Sequence, residues 1–369
     1  MKIASISVVP FSVPYEHPIK WAAGVLTAAD HLIVRIEAED GTCGHAEAIP
    51  RPMIYGETQV GMYHALTEFL APPLIGEDSF GLERIWEKME RLQWNPAAKG
   101  AIDVALWDLN ARLLGVSVAE LLGGPYRDEV AISWQIPLVS DERALADLER
   151  LTAAGYRCFK VKGGPAPDHD IALLKAMRAV APTARLYIDA NMDYGRRDAL
   201  RVMKALEGVI DSLEEPMRAS DDAGRLDLSR RTDVPILTDE STFTVEAVYH
   251  QVRLGAVGEI GIKIPRTGFT KSRKIVQLAE VAGLPVQVSL QAECDYGAAA
   301  GVQFAASFRQ ISLPSEIASY LDSITDSILV SPLVIENGHT KRPLGPGMGV
   351  ELDWNKIDRY RVSLQGKTA

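Results

Sequence analysis

The chain has 369 residues, 47% hydrophobic and 24% charged, enough for one large globular domain or two ordinary ones with a sizeable core. Its 39 basic and 49 acidic side chains give a formal net charge of −10, and no basic stripe or tail offers a surface to nucleic acid. No apolar run approaches the roughly 18 residues of a membrane span. Cys43, Cys158 and Cys294 are too few and too scattered for a disulfide framework or a zinc spacing, so a cytoplasmic location is expected.

The opening MKIASISVVPFSVPYEHP alternates apolar and polar residues and is cut by prolines, which reads as a strand rather than a signal peptide. HLIVRIEAEDG alternates likewise and ends in the turn Glu39-Asp40-Gly41. From residue 61 the pattern becomes helical. AKGAIDVALWDLNARLLG has apolar residues at helical spacing, and VSVAELLGG ends on a glycine pair suited to a helix C-cap. Strands followed by helices predict an α+β unit over 1–125.

From about residue 130 the rhythm changes. AISWQIPL, CFKVK, RLYIDA, DSLEEP, PILTDES, EIGIKI, PVQVSL and ISLPSE are eight strand candidates separated by helical stretches. This predicts an α/β fold with a (β/α)8 barrel over 126–332, with a doubly wound open sheet as the competing architecture. GPGMG at 345–349 resembles a glycine fingerprint, but no helical pattern follows it, and it reads as a loop. The tail, 333–369, lacks the βα rhythm and is expected to fold back on the N-terminal unit.

The strand ends carry the chemistry. Lys160 and Lys162 end the second strand, Asp189 the third, Glu214 and Glu215 the fourth, Asp239 and Glu240 the fifth, and Lys263 the sixth. The steps from Asp189 to Glu214, Asp239 and Lys263 are 25, 25 and 24 residues, one βα unit each. These side chains should therefore meet at the C-terminal mouth of the barrel, where active sites of this fold lie. Three carboxylates from neighbouring strands form a hard, oxygen-rich site suited to Mg²⁺, with Mn²⁺ as a substitute.

A proton α to a carboxylate is weakly acidic, and its removal produces an enediolate dianion that a divalent ion stabilises. Lys162 and Lys263 are placed to approach opposite faces of that carbon. A lysine base must be neutral near pH 7, so its pKa is expected to fall from about 10.4 to about 7–8, with Lys160 supplying a like charge from the same strand face. Gly163 and Gly164 are expected to give the substrate clearance beside Lys162.

These residues resemble the muconate lactonizing subgroup of the enolase superfamily, in the mandelate racemase/muconate lactonizing enzyme family. The resemblance spans nearly the whole chain, including MKI, PRPMIYGET, AKGAIDVALWD, ELLGG and PLGPGMGVELD. It implies a modified barrel with a capping domain completed by the C-terminal tail, and an isomerase whose partners are a small carboxylate substrate and further copies of its own chain. It also implies that Asp189, Glu214 and Asp239 ligate the metal, with Glu214 preferred over Glu215, and that Lys162 and Lys263 are the acid/base pair assisted by Lys160. Two capping loops, 18–24 and 51–57, would read substrate shape, with Trp21 and Tyr55 as contacts; Glu293, after the seventh strand, stands where muconate enzymes carry an acid.

Two activities share these residues. One is cycloisomerisation of cis,cis-muconate or a related dicarboxylate, in which one lysine suffices. The other is racemisation or epimerisation of N-acyl, cyclic or dipeptide amino acids, in which both lysines act. The Asp-x-Asp of dipeptide enzymes is absent from SEIASYLDS, and no histidine stands after strand seven as the mandelate racemase pattern requires. Cys294 and Asp295 beside Glu293 depart from the muconate pattern, placing extra negative charge near a dianionic substrate. A non-catalytic binding barrel is disfavoured because every acid and lysine of the pattern is present.

Overall fold

The computed structural model describes residues 1–21, 24–317 and 323–364. In the capping region, β1 (Ile3–Trp21), β2 (Gly24–Ala38) and β3 (Cys43–Ala48) form an antiparallel sheet in that order. Pro10, Pro14 and Pro18 all fall in β1, an edge strand, where a missing N–H does least damage to the ladder. Ile19 pairs with Leu26, Lys20 with Val25 and Trp21 with Gly24. Of the segment read from the sequence as a loop at 18–24, residues 18–21 and Gly24 are thus strand, which the weakly alternating text conceals, while residues 22 and 23 lie outside the described residues. Short helices α1 (Pro52–Tyr55) and α2 (Gln59–His64) lead to α3 (Leu82–Met89), α4 (Pro96–Leu114) and α5 (Val118–Leu121).

The barrel is entered through β4 (Glu129–Ala131). β5 (Trp134–Ile136), β6 (Cys158–Lys162), β7 (Arg185–Asp189), β8 (Ser212–Glu214), β9 (Ile236–Thr238), β10 (Glu259–Ile262) and β11 (Val286–Val288) then form a seven-stranded parallel sheet in chain order. Helices α6 (Asp141–Ala153), α7 (Pro167–Val180), α8 (Arg196–Ala205), α9 (Asp222–Arg231), α10 (Val245–Leu254) and α11 (Ile264–Ala282) alternate with them, and α12 (Asp295–Ser307) follows β11.

The eighth candidate, ISLPSE, is not a regular strand, yet it joins the two edges. Leu313 N donates to Val286 O and Glu316 N to Val288 O, while Ser315 N donates to Ala131 O and Ser133 N to Ser315 O. Pro314 lacks the N–H a full ladder would need. Beyond it, β12 (Ile335–Glu336) pairs with β13 (His339–Lys341) and β13 with β4, and α13 (Trp354–Arg359) precedes a return to β1, where Val362 N donates to Pro10 O.

α4 explains how cap and barrel join. Its residues 97–111 are all buried, as expected of a helix lacking a polar face. Its acids are satisfied by both sides: Asp103 accepts from Trp86 Nε1 (2.7 Å) and Thr270 N (3.0 Å), and Asp108 from His45 N (2.9 Å) and Tyr296 OH (3.0 Å). One apolar core holds Ile33, Ile102 and Trp107 of the cap with Ile262, Phe269 and Phe304 of the barrel. A second packs Phe159, Leu186, Leu213 and Ile236 against α6 to α9. Among the described residues no helix is long and apolar enough to cross a membrane.

Candidate active site

Alternation along β6 sends Phe159 and Val161 outward into the second core and turns Lys160 and Lys162 to the barrel interior. The strand register then sets the level of the acids. Lys162 is the Cα partner of Asp189, and Asp189 is the partner of Glu214. Asp239 and Lys263 each stand one residue past the ends of β9 and β10.

The charges pair in two groups. Lys160 Nζ, on a side chain only 3% exposed, lies 2.8 Å from Glu214, 3.0 Å from Asp189 and 3.1 Å from Glu316. Lys162 Nζ donates to Asp189 Oδ2 at 2.5 Å and to Asn191 Oδ1 at 2.9 Å. Lys263 donates to Asp239 Oδ2, and Arg266 reaches Asp239 Oδ1 at 2.9 Å.

Burial alone would raise Asp189 and Asp239, but the neighbouring lysines outweigh it and hold both carboxyls below their usual range. Glu214 goes the other way. Burial, reinforced by the charge of Asp189, outweighs Lys160 and raises it well above the carboxylate range.

Lys263 departs from the expectation of a lowered base. Burial would depress Lys160 and Lys263, yet the facing carboxylates raise both above the ordinary lysine value, led by Asp189 and by Asp239 respectively. The lowered base foreseen from the sequence is therefore not present at Lys263 while Asp239 is its direct partner: attraction to an adjacent anion exceeds desolvation.

Glu215 is a positioning group. It pairs with Arg225 at 3.2 Å, both fully buried, and its Oε1 accepts from Asp239 N at 2.7 Å, Ser241 N at 2.8 Å and the Ser241 hydroxyl. Both its oxygens are taken by protein donors, whereas Glu214 keeps one without a partner, which separates the two roles. The next acid, Glu240, is pushed up to about 8 by burial and by Asp239.

Glu214 Oε2 is buried and has no hydrogen-bond partner. An orphaned carboxylate oxygen flanked by Asp189 and Asp239 suits a hard divalent cation. The three acids are not drawn into a tight trio, because each is held toward a lysine. Among the described residues the His/Cys/Asp/Glu group with ligand atoms within 4.8 Å of one another is instead His31, Glu47 and Cys294. There Glu47 accepts from Cys294 N and Gly297 N, both at 2.9 Å, and pairs with His31 at 2.5 Å, fastening the start of α12 to the cap sheet.

Lys160, Lys162 and Lys263 line one cavity with Asn191, Gln135, Leu26, Arg51, Ile54 and Gln291. Tyr55 and Glu293 stand behind that lining. Tyr55 OH donates to Gln291 Oε1 at 2.9 Å, and Glu293 accepts from Gln291 N at 2.8 Å, with its carboxyl pushed up to about 7 by burial. Asp295 is turned away as well, accepting from Ser327 and from Ile328 N. The Trp21 side chain and residues 318–322 lie outside the described residues.

Gly163 and Gly164 have a packing reason of their own within the fold. A Cβ on Gly163 would sit 2.4 Å from Ile188 Cδ1; one on Gly164, whose φ is +111°, would sit 2.7 Å from Ala190 O.

Glu316, Asn191, Arg51 and Gln291 were not singled out from the sequence. For Glu316 a signal existed, since ISLPSE ends in an acid as the third, fourth and fifth strands do. The others sit on loops with no spacing rule.

Residues 4–123 match the family described as mandelate racemase / muconate lactonizing enzyme, N-terminal domain, and residues 143–356 match enolase C-terminal domain-like. The L-Ala-D/L-Glu epimerase of Bacillus subtilis (strain 168) is 31% identical over 85% of this chain and 87% of its own length. The muconate lactonizing enzyme of Mucobacterium Smegmatis complexed with muconolactone superposes with a TM-score of 0.94 at 36% identity, over 98% of this chain and 100% of that one. The Enterococcus faecalis V583 dipeptide epimerase complexed with Mg and L-Leu-L-Tyr gives 0.90 at 28% identity, over 95% of this chain and 100% of that one. The chain belongs to the mandelate racemase/muconate lactonizing enzyme family of the enolase superfamily, and it is an isomerase.

Proposed function

We propose that this isomerase removes or delivers a proton α to a substrate carboxylate through an enediolate, and that its reaction is the cycloisomerisation of cis,cis-muconate or a related dicarboxylate, in which the proton is delivered. The observation that carries the reading is the register of Lys162, Asp189 and Glu214 on adjacent strands, with Lys263 lining the same cavity. Asp189, Glu214 and Asp239 would hold Mg²⁺. When bound, the ion supplies positive charge for the enediolate dianion.

The chain's own groups do the rest. Lys162, oriented by Asn191, and Lys263, oriented by Asp239, hold or move the proton at Nζ. Lys160 keeps the acids beneath them compensated, and Gln291, braced by Tyr55, forms part of the wall. In lactonisation the second carboxylate adds across the double bond, and one lysinium delivers the proton to the resulting enediolate carbon. The side of that lysine fixes the stereochemistry.

Two lysines in one cavity favour a second reading, racemisation or epimerisation of an N-acyl, cyclic or dipeptide amino acid, in which one lysine removes the proton and the other returns it. A capping unit near 1–125, a barrel near 126–332 and a returning tail, in a cytoplasmic homo-oligomer, complete the proposal. Light scattering measures the last.

The test is a Mg²⁺-supplemented screen in D₂O of muconate, chlorinated muconates, N-acyl amino acids and dipeptides, following ring closure by ultraviolet loss and α-deuteration by NMR. Ring closure with muconates supports the first reading, and deuteration with inversion supports the second. Neither, across the panel, overturns the enediolate chemistry.

A further inference from the structure

The cavity holds a cation that this chemistry does not use. Arg51 lies between β3 and α1, is 6% exposed, and lines the same space as Lys162 and Lys263. Its guanidinium donates to backbone carbonyls: Nη1 to Pro50 O at 2.7 Å, Nη2 to Gln291 O and, at 3.3 Å, to Ala292 O. These bonds orient the group and use three of its five N–H donors, but they cancel none of its charge.

Among the described residues Arg51 has no carboxylate in ion-pairing contact. Glu293, which feels its charge, is turned to Gln291 N; Glu47 is engaged by His31 and the start of α12. Burying an arginine without an anion is costly, and such a charge is ordinarily matched by a partner. Here the open side faces the cavity, where Leu26, Ile54 and Leu290 supply apolar wall.

We infer that Arg51 receives a second anionic group on the substrate. The substrate class is then a carboxylate with a further carboxylate at its far end, joined by a short carbon or acyl chain against Leu26 and Ile54. This rests on the reading above, in which the first carboxylate occupies the end of the cavity near the acids and lysines.

The test compares binding of adipate and hexanoate, equal in chain length but carrying two carboxylates and one, to the whole Mg²⁺-supplemented protein by calorimetry. The parent protein should prefer adipate by about tenfold or more, as expected for hydrogen bonds to a charged group. R51M should reduce that preference to within about threefold and R51K should keep part of it. Equal binding of both ligands by the parent protein overturns the inference, and this arm holds even if R51M fails to fold. An unchanged preference in folded R51M also overturns it. K162A separates the two readings, since it should keep the adipate preference while losing α-proton exchange. A parent protein that prefers adipate but neither closes the ring of any muconate nor exchanges an α-proton with any compound upholds the role of Arg51 and overturns the enediolate reading.

Discussion

Lys160→Met removes one ammonium and leaves a side chain of similar length in its place. That ammonium is shared by Glu214, Asp189 and Glu316 at 2.8, 3.0 and 3.1 Å, in a pocket where the lysine side chain is 3% exposed. Of these three acids, among the described residues, only Asp189 has a second lysine to fall back on, because Lys162 also contacts it. Removing one partner of a buried ion pair typically costs about 3–5 kcal/mol. With an unfolding entropy of roughly 2.1 cal/mol/K per residue over 369 residues, that lowers Tm by about 4–6 °C.

The loss should depend on pH with a definite sign. Burial and Asp189 already raise the Glu214 carboxyl well above its unfolded value, and losing Lys160 raises it further. Between the unfolded and folded values the native state binds the extra proton, so stability falls as pH rises through that window. The deficit of the variant should be smallest near pH 5 and largest near pH 8. Differential scanning calorimetry of both proteins at pH 5, 6.5 and 8 without added metal measures it. A loss below about 1 °C at pH 8, or a larger deficit at pH 5, would refute the role assigned to Lys160.

At least one of Lys162→Ala and Lys263→Ala should lower turnover of a confirmed substrate by about 10²–10⁴-fold with unchanged circular dichroism, one alone for lactonisation and both for racemisation, and unaltered turnover in both removes the lysines from the chemistry. Mg²⁺ at about 100 times its Kd should stabilise the protein by about 2.7 kcal/mol, an increment that Glu214→Gln should abolish in a thermal-shift titration. Gly164→Ala, at φ +111° and with Ala190 O 2.7 Å from the new Cβ, should cost about 1–3 kcal/mol in urea unfolding; a midpoint equal to that of the parent would show that the turn relaxes freely. Arg225→Met should cost about 3–5 kcal/mol by leaving Glu215 uncompensated, and a stability within 1 kcal/mol of the parent would show that the Ser241 and Asp239 bonds suffice.

The polar interior was legible because parallel strands keep register. Equal 25-residue steps between Asp189, Glu214 and Asp239 place acids of successive strands beside one another without any knowledge of the loops. Glu316 escaped although ISLPSE reads as a strand candidate ending in an acid, because it lies outside the series of equal steps from Asp189 to Lys263. The direction of the lysine shifts escaped for another reason. The sequence places the charges but not their separations, and at 3 Å a facing anion outweighs burial. The cap contacts were the least legible. Tyr55, at the end of α1, and Glu293, after β11, both turn to Gln291, whereas Arg51 lies in the 51–57 segment read from the sequence but its three backbone carbonyl partners have no sequence signature.

Two family domains meet in this chain, yet Ile33 and Ile102 share a core with Ile262 and Phe304, and α4 has no face left over for water. Splitting them would expose that core on both halves. The chain should therefore melt in a single calorimetric transition. A barrel expressed without residues 1–125 should not fold, because what the sequence divides into modules is, energetically, one cooperative unit.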